Sequence, residues 1–256
     1  MPPFVSHTSI VRKIWGKADT ILFIFAGASA EFALNRSVDW FYYTGRLPAD
    51  PLGRLFSTVT YARSIVFSEH EAALRAIDQI TGIHRSVEDQ RGETIPASAY
   101  RDVLFMLIDY SIRSYTLLER PLREAEKTEV FNVFYQVGAR MQIPGLPETY
   151  RAWEVMRAQH LQENLIKSDF SADLYQQYRK HLGAVRYMLL MQVQARLVPG
   201  HVKQLLGLGS GAGIAILLPL YKLLRILHVH TVMRNALLPA QYLNPVVELD
   251  VDEAKL

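Results

Sequence analysis

Few side chains in this sequence pair chemistry with a confining neighbourhood, and His84 comes first. It stands in the run Ile80-Thr-Gly-Ile-His-Arg-Ser-Val87, an imidazole among aliphatic side chains. Ala73, Ile77, Ile80, His84 and Val87 recur at spacings of four, three, four and three, one stripe of an α-helix, so His84 is expected to point inward. A buried neutral imidazole needs a partner for at least one ring nitrogen, because an unpaired buried polar group costs roughly 1 to 3 kcal/mol. A carboxylate, a backbone carbonyl or a metal would each serve. Two readings stay open on these residues, a hydrogen-bonded core histidine and a metal ligand. Asp109 is the second candidate, a carboxylate among Leu107, Ile108 and Ile112. Arg113, four residues on, supplies the counter-charge, either as a structural ion pair or as part of the shell that orients a ligating histidine.

Composition removes other chemistry. The chain has no cysteine, which excludes disulfides, thiolate-ligated haem, iron–sulfur clusters, cysteine-bound zinc and a cysteine nucleophile. The net charge is +3, from 28 Lys and Arg against 25 Asp and Glu spread along the chain, so nucleic acid is not expected as a partner. His228-Val-His230 would need a strand to turn both imidazoles to one side, and its surroundings read as helix. The glycine-rich run Gly207-Leu-Gly-Ser-Gly-Ala-Gly213 lacks the preceding strand of a phosphate-binding loop and reads as a connector. No Ser, His and Asp set occurs in a nucleophile-elbow context.

The elements that must position these residues are helices. Apolar periodicity predicts helices over residues 18–40, 55–67, 69–87, 99–119, 123–141 and 148–167, with Ser171 capping a long helix that runs to about residue 197. The segment 42–54 reads as a loop punctuated by Gly45, Pro48, Pro51 and Gly53. Residues 99–119 are almost wholly apolar and are expected at the centre. Alternating strands are scarce, so the fold class is all-α, a single helical domain with a predominantly apolar interior. Arg12, Lys13 and Lys17 precede an apolar run that ends in Ala28-Ser-Ala30. The basic residues nevertheless lie far from Met1, and Asp19 stands just before the run, so a core helix is expected rather than a cleaved signal.

The segment Asp50-Pro-Leu-Gly-Arg-Leu-Phe-Ser-Thr58, followed by SIVFSEHEAALRAIDQITGIHRSV (residues 64–87), resembles the hallmark region of the rubber oxygenase and endoplasmic-reticulum-bound oxygenase catalytic-domain family. Further matches follow in order: Tyr100, then Asp109, Ser111, Arg113 and Tyr115, then Pro121-Leu122, Glu126, Ile143-Pro144 and Leu146-Pro147. The likeness extends over residues 18–208. It implies an all-helical oxygenase that holds haem b and uses dioxygen to cleave carbon–carbon double bonds in hydrophobic, isoprenoid-type substrates. His84 matches the family's proximal haem ligand, and Arg54 and Thr58 match the arginine and threonine of the motif on the facing helix. Arg54 would hold a haem propionate or an anionic lipid head, or else bind loop carbonyls as a helix-entry arginine. Thr58 shares its face, although threonine there also packs or bonds back to a carbonyl. Two positions depart from the pattern. Ser57 stands where rubber oxygenases carry a lysine able to reach the far side of the iron, and Leu104 stands where many relatives have a histidine.

The remaining chain is read as an apolar C-terminal helix within 209–243, packed on the domain or lying at a membrane, and a loose acidic tail over 244–256. Residues 204–221 carry no formal charge but include glycines and Pro219, at the lower edge of what spans a bilayer. A buried or interfacial helix is expected, with peripheral membrane contact through nearby basic residues and a cytoplasmic or membrane-peripheral location. The alternative function is a non-catalytic lipid-binding or membrane-associated protein in which His84 is a structural histidine.

Overall fold

The computed structural model describes residues 2–43, 49–226 and 249–251, and its regular structure is helical. Ser9 starts the first helix, α1 (Ile10–Trp15), by accepting from the Val11 amide at 3.1 Å. This helix is too short, at six residues, to display a periodic stripe. The next, α2 (Ala18–Phe32), packs along the central α6 (Ala97–Leu118). Gly27 permits that approach, because a Cβ there would overlap the Tyr110 ring and stand 2.9 Å from Leu197. Ile21, Ile24, Phe105, Ile108 and Tyr110 are almost wholly buried at this seam. The all-α single domain expected from periodicity is the fold observed, with α6 at its centre. Among the described residues the only β-pairing is two isolated bridges.

One of those bridges corrects two helix ends. The helix expected over 18–40 stops at Phe32 and resumes as α3 (Asp39–Tyr43), and the helix expected over 148–167 is α8 (Tyr150–Glu163). Both break for the same reason. Asn35 pairs with Leu165, Ile166 donates its amide to Leu34 O at 2.7 Å, and Arg36 donates to Asn164 O at 2.9 Å. Beneath the bridge, the side-chain amides of Asn35 and Asn164 both donate to the carboxylate of Asp102. His160 Nδ1 reaches the same carboxylate at 2.5 Å. Two chain segments far apart in sequence are thus tied to one buried acid on α6.

Between these ends lie α4 (Pro51–Val66), α5 (His70–Arg91) and α7 (Glu124–Arg140). The loop expected over 42–54 already turns into helix at Pro51, so Arg54 sits in the first turn of α4. Asp50 accepts from the Gly53 amide at 2.9 Å and proline occupies the first helical position, both strong starts. Helix α5 runs one turn beyond the expected residue 87 and stops where Gly92 takes φ 71°, a left-handed conformation that suits glycine. The long α9 (Asp169–Leu197) is capped by Ser168, with Ser171 completing the box three residues later, and it kinks at Gly183. The cap expected at Ser171 therefore lies three residues earlier.

The uncharged stretch 204–221 is divided between α10 (Gly200–Leu206) and α11 (Ala212–Ile226) by left-handed glycines 207 and 211. Among the described residues no helix is long and apolar enough to cross a membrane. Helix α11 buries Ile214 and Leu218 while Ile216, Leu217, Leu220 and Leu223 remain exposed. It is pinned by Arg225, which pairs with Asp19 at 2.9 Å and Glu119 at 2.5 Å. Within the tail expected to be loose, residues 249–251 are held. Asp250 accepts from the Ala18 amide at 2.9 Å at the start of α2, where Lys17 offers no side-chain cap, and Val251 donates to Gly16 O. The rest of 244–256, together with His228 and His230, lies outside the described residues.

Candidate functional site

Helices α4 and α5 form an antiparallel pair joined by a short turn, with Ile65, Ala73 and Ile77 buried in one cluster. From Ile65 back to Arg54 and from Ala73 on to His84 the helices advance by the same number of residues. The antiparallel course brings the first turns of α4 toward the second half of α5, which carries His84, with Thr58 one turn nearer the hinge than Arg54. The side chain of Arg54 lies outside the described residues. Ser57 and Thr58 are half-buried, and Val59 beside them is buried at 1% exposure.

His84 follows Ala73 and Ile77 along its stripe, but with a difference. Those two are fully enclosed, whereas Ile80, His84 and Val87 are half-buried and Ile83 is exposed. The inward stripe opens toward the surface as α5 proceeds. A Cβ built at Gly82 would meet nothing within 4 Å, so the outer flank of this turn is clear. His84 Nδ1 is itself shielded from solvent. Its ring stands edge-on to Tyr100 at 5.2 Å between centroids. The Tyr100 hydroxyl donates to Glu88 at 3.2 Å, and the same carboxylate oxygen accepts the Ile95 amide at 2.9 Å. Burial first, then the Glu88 charge and hydrogen bond, push the Tyr100 phenol above its ordinary value, so it stays neutral at physiological pH.

Among the described residues no group of three or more His, Asp or Glu side chains could hold a metal ion. The donor set left is one imidazole with apolar flanks on an opening helix face. That is what a proximal haem ligand requires, and in this sense the residues present fit the group.

Asp109 and Arg113 form the expected ion pair at 2.7 Å. They belong to a larger assembly that the sequence does not announce. Arg157 of α8 lays two nitrogens on the Glu31 carboxylate at 2.5 and 2.6 Å, and reaches Asp109 at 3.0 Å. Tyr110 donates to Glu31 at 2.9 Å. Burial alone would lower the Arg157 pKa, but the carboxylates of Glu31 and Asp109 outweigh it and hold the guanidinium above its ordinary value. Asp109 accepts from two arginines, Arg113 and Arg157, and the assembly ties α2, α6 and α8 together.

Tyr100, Glu88, Glu31 and Arg157 are the residues that motif reading does not single out for what they contact. Glu31 leaves a trace, a carboxylate near the end of a helix whose residues after Thr20 are otherwise apolar or small. Arg157 leaves none, since charged and polar residues recur along α8 and nothing local marks this one as buried.

An all-helical domain built around a buried central helix is the class of protein these features define. Residues 15–228 match the family described as ER-bound oxygenase mpaB/B'/Rubber oxygenase, catalytic domain, and the chain belongs to that family. No curated protein and no solved structure matches it.

Proposed function

We propose that the protein is a haem b-dependent oxygenase that uses dioxygen to cleave a hydrophobic, isoprenoid-type substrate, with His84 as the proximal ligand. Membership of the oxygenase catalytic-domain family supports the activity. The observation that carries the site is the half-buried imidazole of His84, its ring edge-on to Tyr100, on a helix that packs against the one bearing Arg54. Haem, when bound, would supply the binding and activation of dioxygen.

The chain's own residues do the rest. His84 would coordinate through Nε2, since Nδ1 is shielded. Tyr100 fixes the plane of the imidazole by its edge contact, and Glu88 holds Tyr100 in turn while anchoring the start of the next helix. Ile80 and Val87 keep water from the flanks of the ring. Arg54 would bind a propionate, and Thr58 and Ser57 would present hydroxyls on the side facing His84. Asp109 and Arg113 act in this reading through the packing of α6, the helix that also carries Tyr100. The exposed Ile216, Leu217, Leu220 and Leu223 of α11 suit peripheral contact with a membrane, the source of such a substrate.

The test is a visible absorption spectrum after expression with a haem precursor, on wild type and on His84→Ala. A Soret band in wild type that is lost in a folded, helical His84→Ala protein is expected. Full haem occupancy with unchanged axial coordination in the variant overturns the assignment. A haem-free wild type leaves the non-catalytic lipid-binding reading.

A further inference from the structure

Helix α11 is apolar on two faces. Ile214, Leu218 and Arg225 turn toward the domain, the two apolar side chains buried and the arginine held by Asp19 and Glu119. At about 3.6 residues per turn, Ile216, Leu217, Pro219, Leu220 and Leu223 share the opposite arc, and all are exposed, Ile216 at 76%. No charged or hydrogen-bonding side chain interrupts that arc. An amphipathic surface helix keeps its second face polar and in water. Helix α11 lays one apolar face on the protein and leaves the other open, a patch of the kind that marks a protein or membrane contact.

Charge decides between those partners. Basic residues are spread along the chain, but acids are not. From Leu174 to Val247 the sequence holds no Asp or Glu, against eight Lys and Arg. That stretch contains most of α9 and all of α10 and α11. Within it Arg179, Lys180 and Arg196 are exposed, and Lys222 is half-buried. Two of these cations flank the apolar arc. Arg196 lays its stem against Gly211, just ahead of α11, where a Cβ would stand 2.6 Å from Arg196 Cγ. Lys222 lies on the border of the arc near the other end of the helix. Leucines between cations, with no acid on the same helix, suit a bilayer with anionic headgroups. A nucleic acid would match the charge but not the aliphatic side chains. A second copy of the chain would bring like charge to like.

We infer that the exposed face of α11 docks on a bilayer containing anionic lipid, with Ile216, Leu217, Leu220 and Leu223 among the outer acyl carbons and Arg196 and Lys222 on the headgroups. The inference rests on the peripheral membrane contact proposed above and names the lipid that makes it. It does not depend on haem.

The test is flotation of the full chain with vesicles of phosphatidylcholine alone and of phosphatidylcholine with about one-third phosphatidylserine. Binding to the anionic vesicles is expected to be roughly tenfold tighter or more, and to weaken as salt is raised. Arg196→Gln and Lys222→Gln should each weaken it about fivefold, the effect of one cation near a charged surface, and leave phosphatidylcholine unaffected. Leu217→Ser combined with Leu220→Ser should weaken binding to both vesicles by roughly tenfold or more. Equal affinity for the two vesicles, or anionic binding unaltered in both glutamine variants, overturns the inference while the peripheral contact itself stands. No binding to either vesicle removes both. Binding unaffected by the serine substitutions, or an RNA homopolymer that displaces the vesicles and binds the serine variant equally well, also overturns it. A lower thermal midpoint in the serine variant, or a dimer in sedimentation velocity that this variant abolishes, would show the face covered by protein and overturn it too. The Soret band tests the haem reading separately from all of these outcomes.

Discussion

Arg157 and Glu31 meet across the α8–α2 seam through two parallel N–H···O contacts, with side chains only 5% and 2% exposed. Removing one member strands the other in an apolar interior. Arg157→Met should therefore lose about 3 to 5 kcal/mol of stability, read from urea unfolding. Combining it with Glu31→Leu should cost less than the sum of the two single changes, since the double variant leaves no uncompensated charge between them. Strict additivity would show that the pair does not interact as its geometry indicates.

Gly27 sets how closely α2 approaches α6. In Gly27→Ala the new methyl would overlap the Tyr110 ring and crowd Leu197, so the ring or one of the helices must shift. The expected cost is about 1 to 3 kcal/mol, typical of overpacking in a dense core. An unchanged melting temperature would mean the seam is looser than the packing implies.

Acid sensitivity should trace in part to Glu126. Its carboxylate accepts from Arg120 at 2.8 and 2.9 Å, and from the Arg123 amide and side chain at 2.8 and 3.2 Å. The Arg120 hydrogen bonds, followed by the Arg123 backbone, hold its pKa well below the ordinary 4.5. A depressed folded-state pKa contributes stability that is fully present above the unfolded value and lost as pH falls toward the folded one. The stability gap between wild type and Glu126→Gln should hence be constant above about pH 5 and shrink steadily below it. Urea midpoints measured across pH 2 to 7 test this. A gap independent of pH would remove Glu126 from the acid response.

Ser57 tests the side of the proposed haem site that faces His84. A serine cannot reach an iron that a lysine would coordinate from the same helical position, so haem-loaded protein should be high-spin and bind imidazole or cyanide rapidly. Ser57→Lys supplies a long stem whose amine competes once deprotonated. The expected shift is toward a low-spin, six-coordinate spectrum, most complete at alkaline pH. A wild type already low-spin and unaltered by Ser57→Lys would show that α4 does not face the iron.

What could be read along the chain was local. The stripe from Ala73 to Val87 and the Asp109–Arg113 pair involve residues within a turn or two of one another, so helical rise alone places them together. The family motif around Arg54, Ser57, Thr58 and His84 was legible for a related reason, since each half lies within one helix. Packing decided the rest. Arg157 and Glu31 stand 126 residues apart, and Asp102 gathers Asn35, His160 and Asn164 from two separate segments. The ends of α2 and α8 depend on that gathering, because their backbone groups leave the helix only when a partner segment arrives to bond them. The half-burial of His84 is also tertiary. Periodicity tells which face of α5 turns inward, but how far a neighbouring helix covers that face is set by where the neighbour ends.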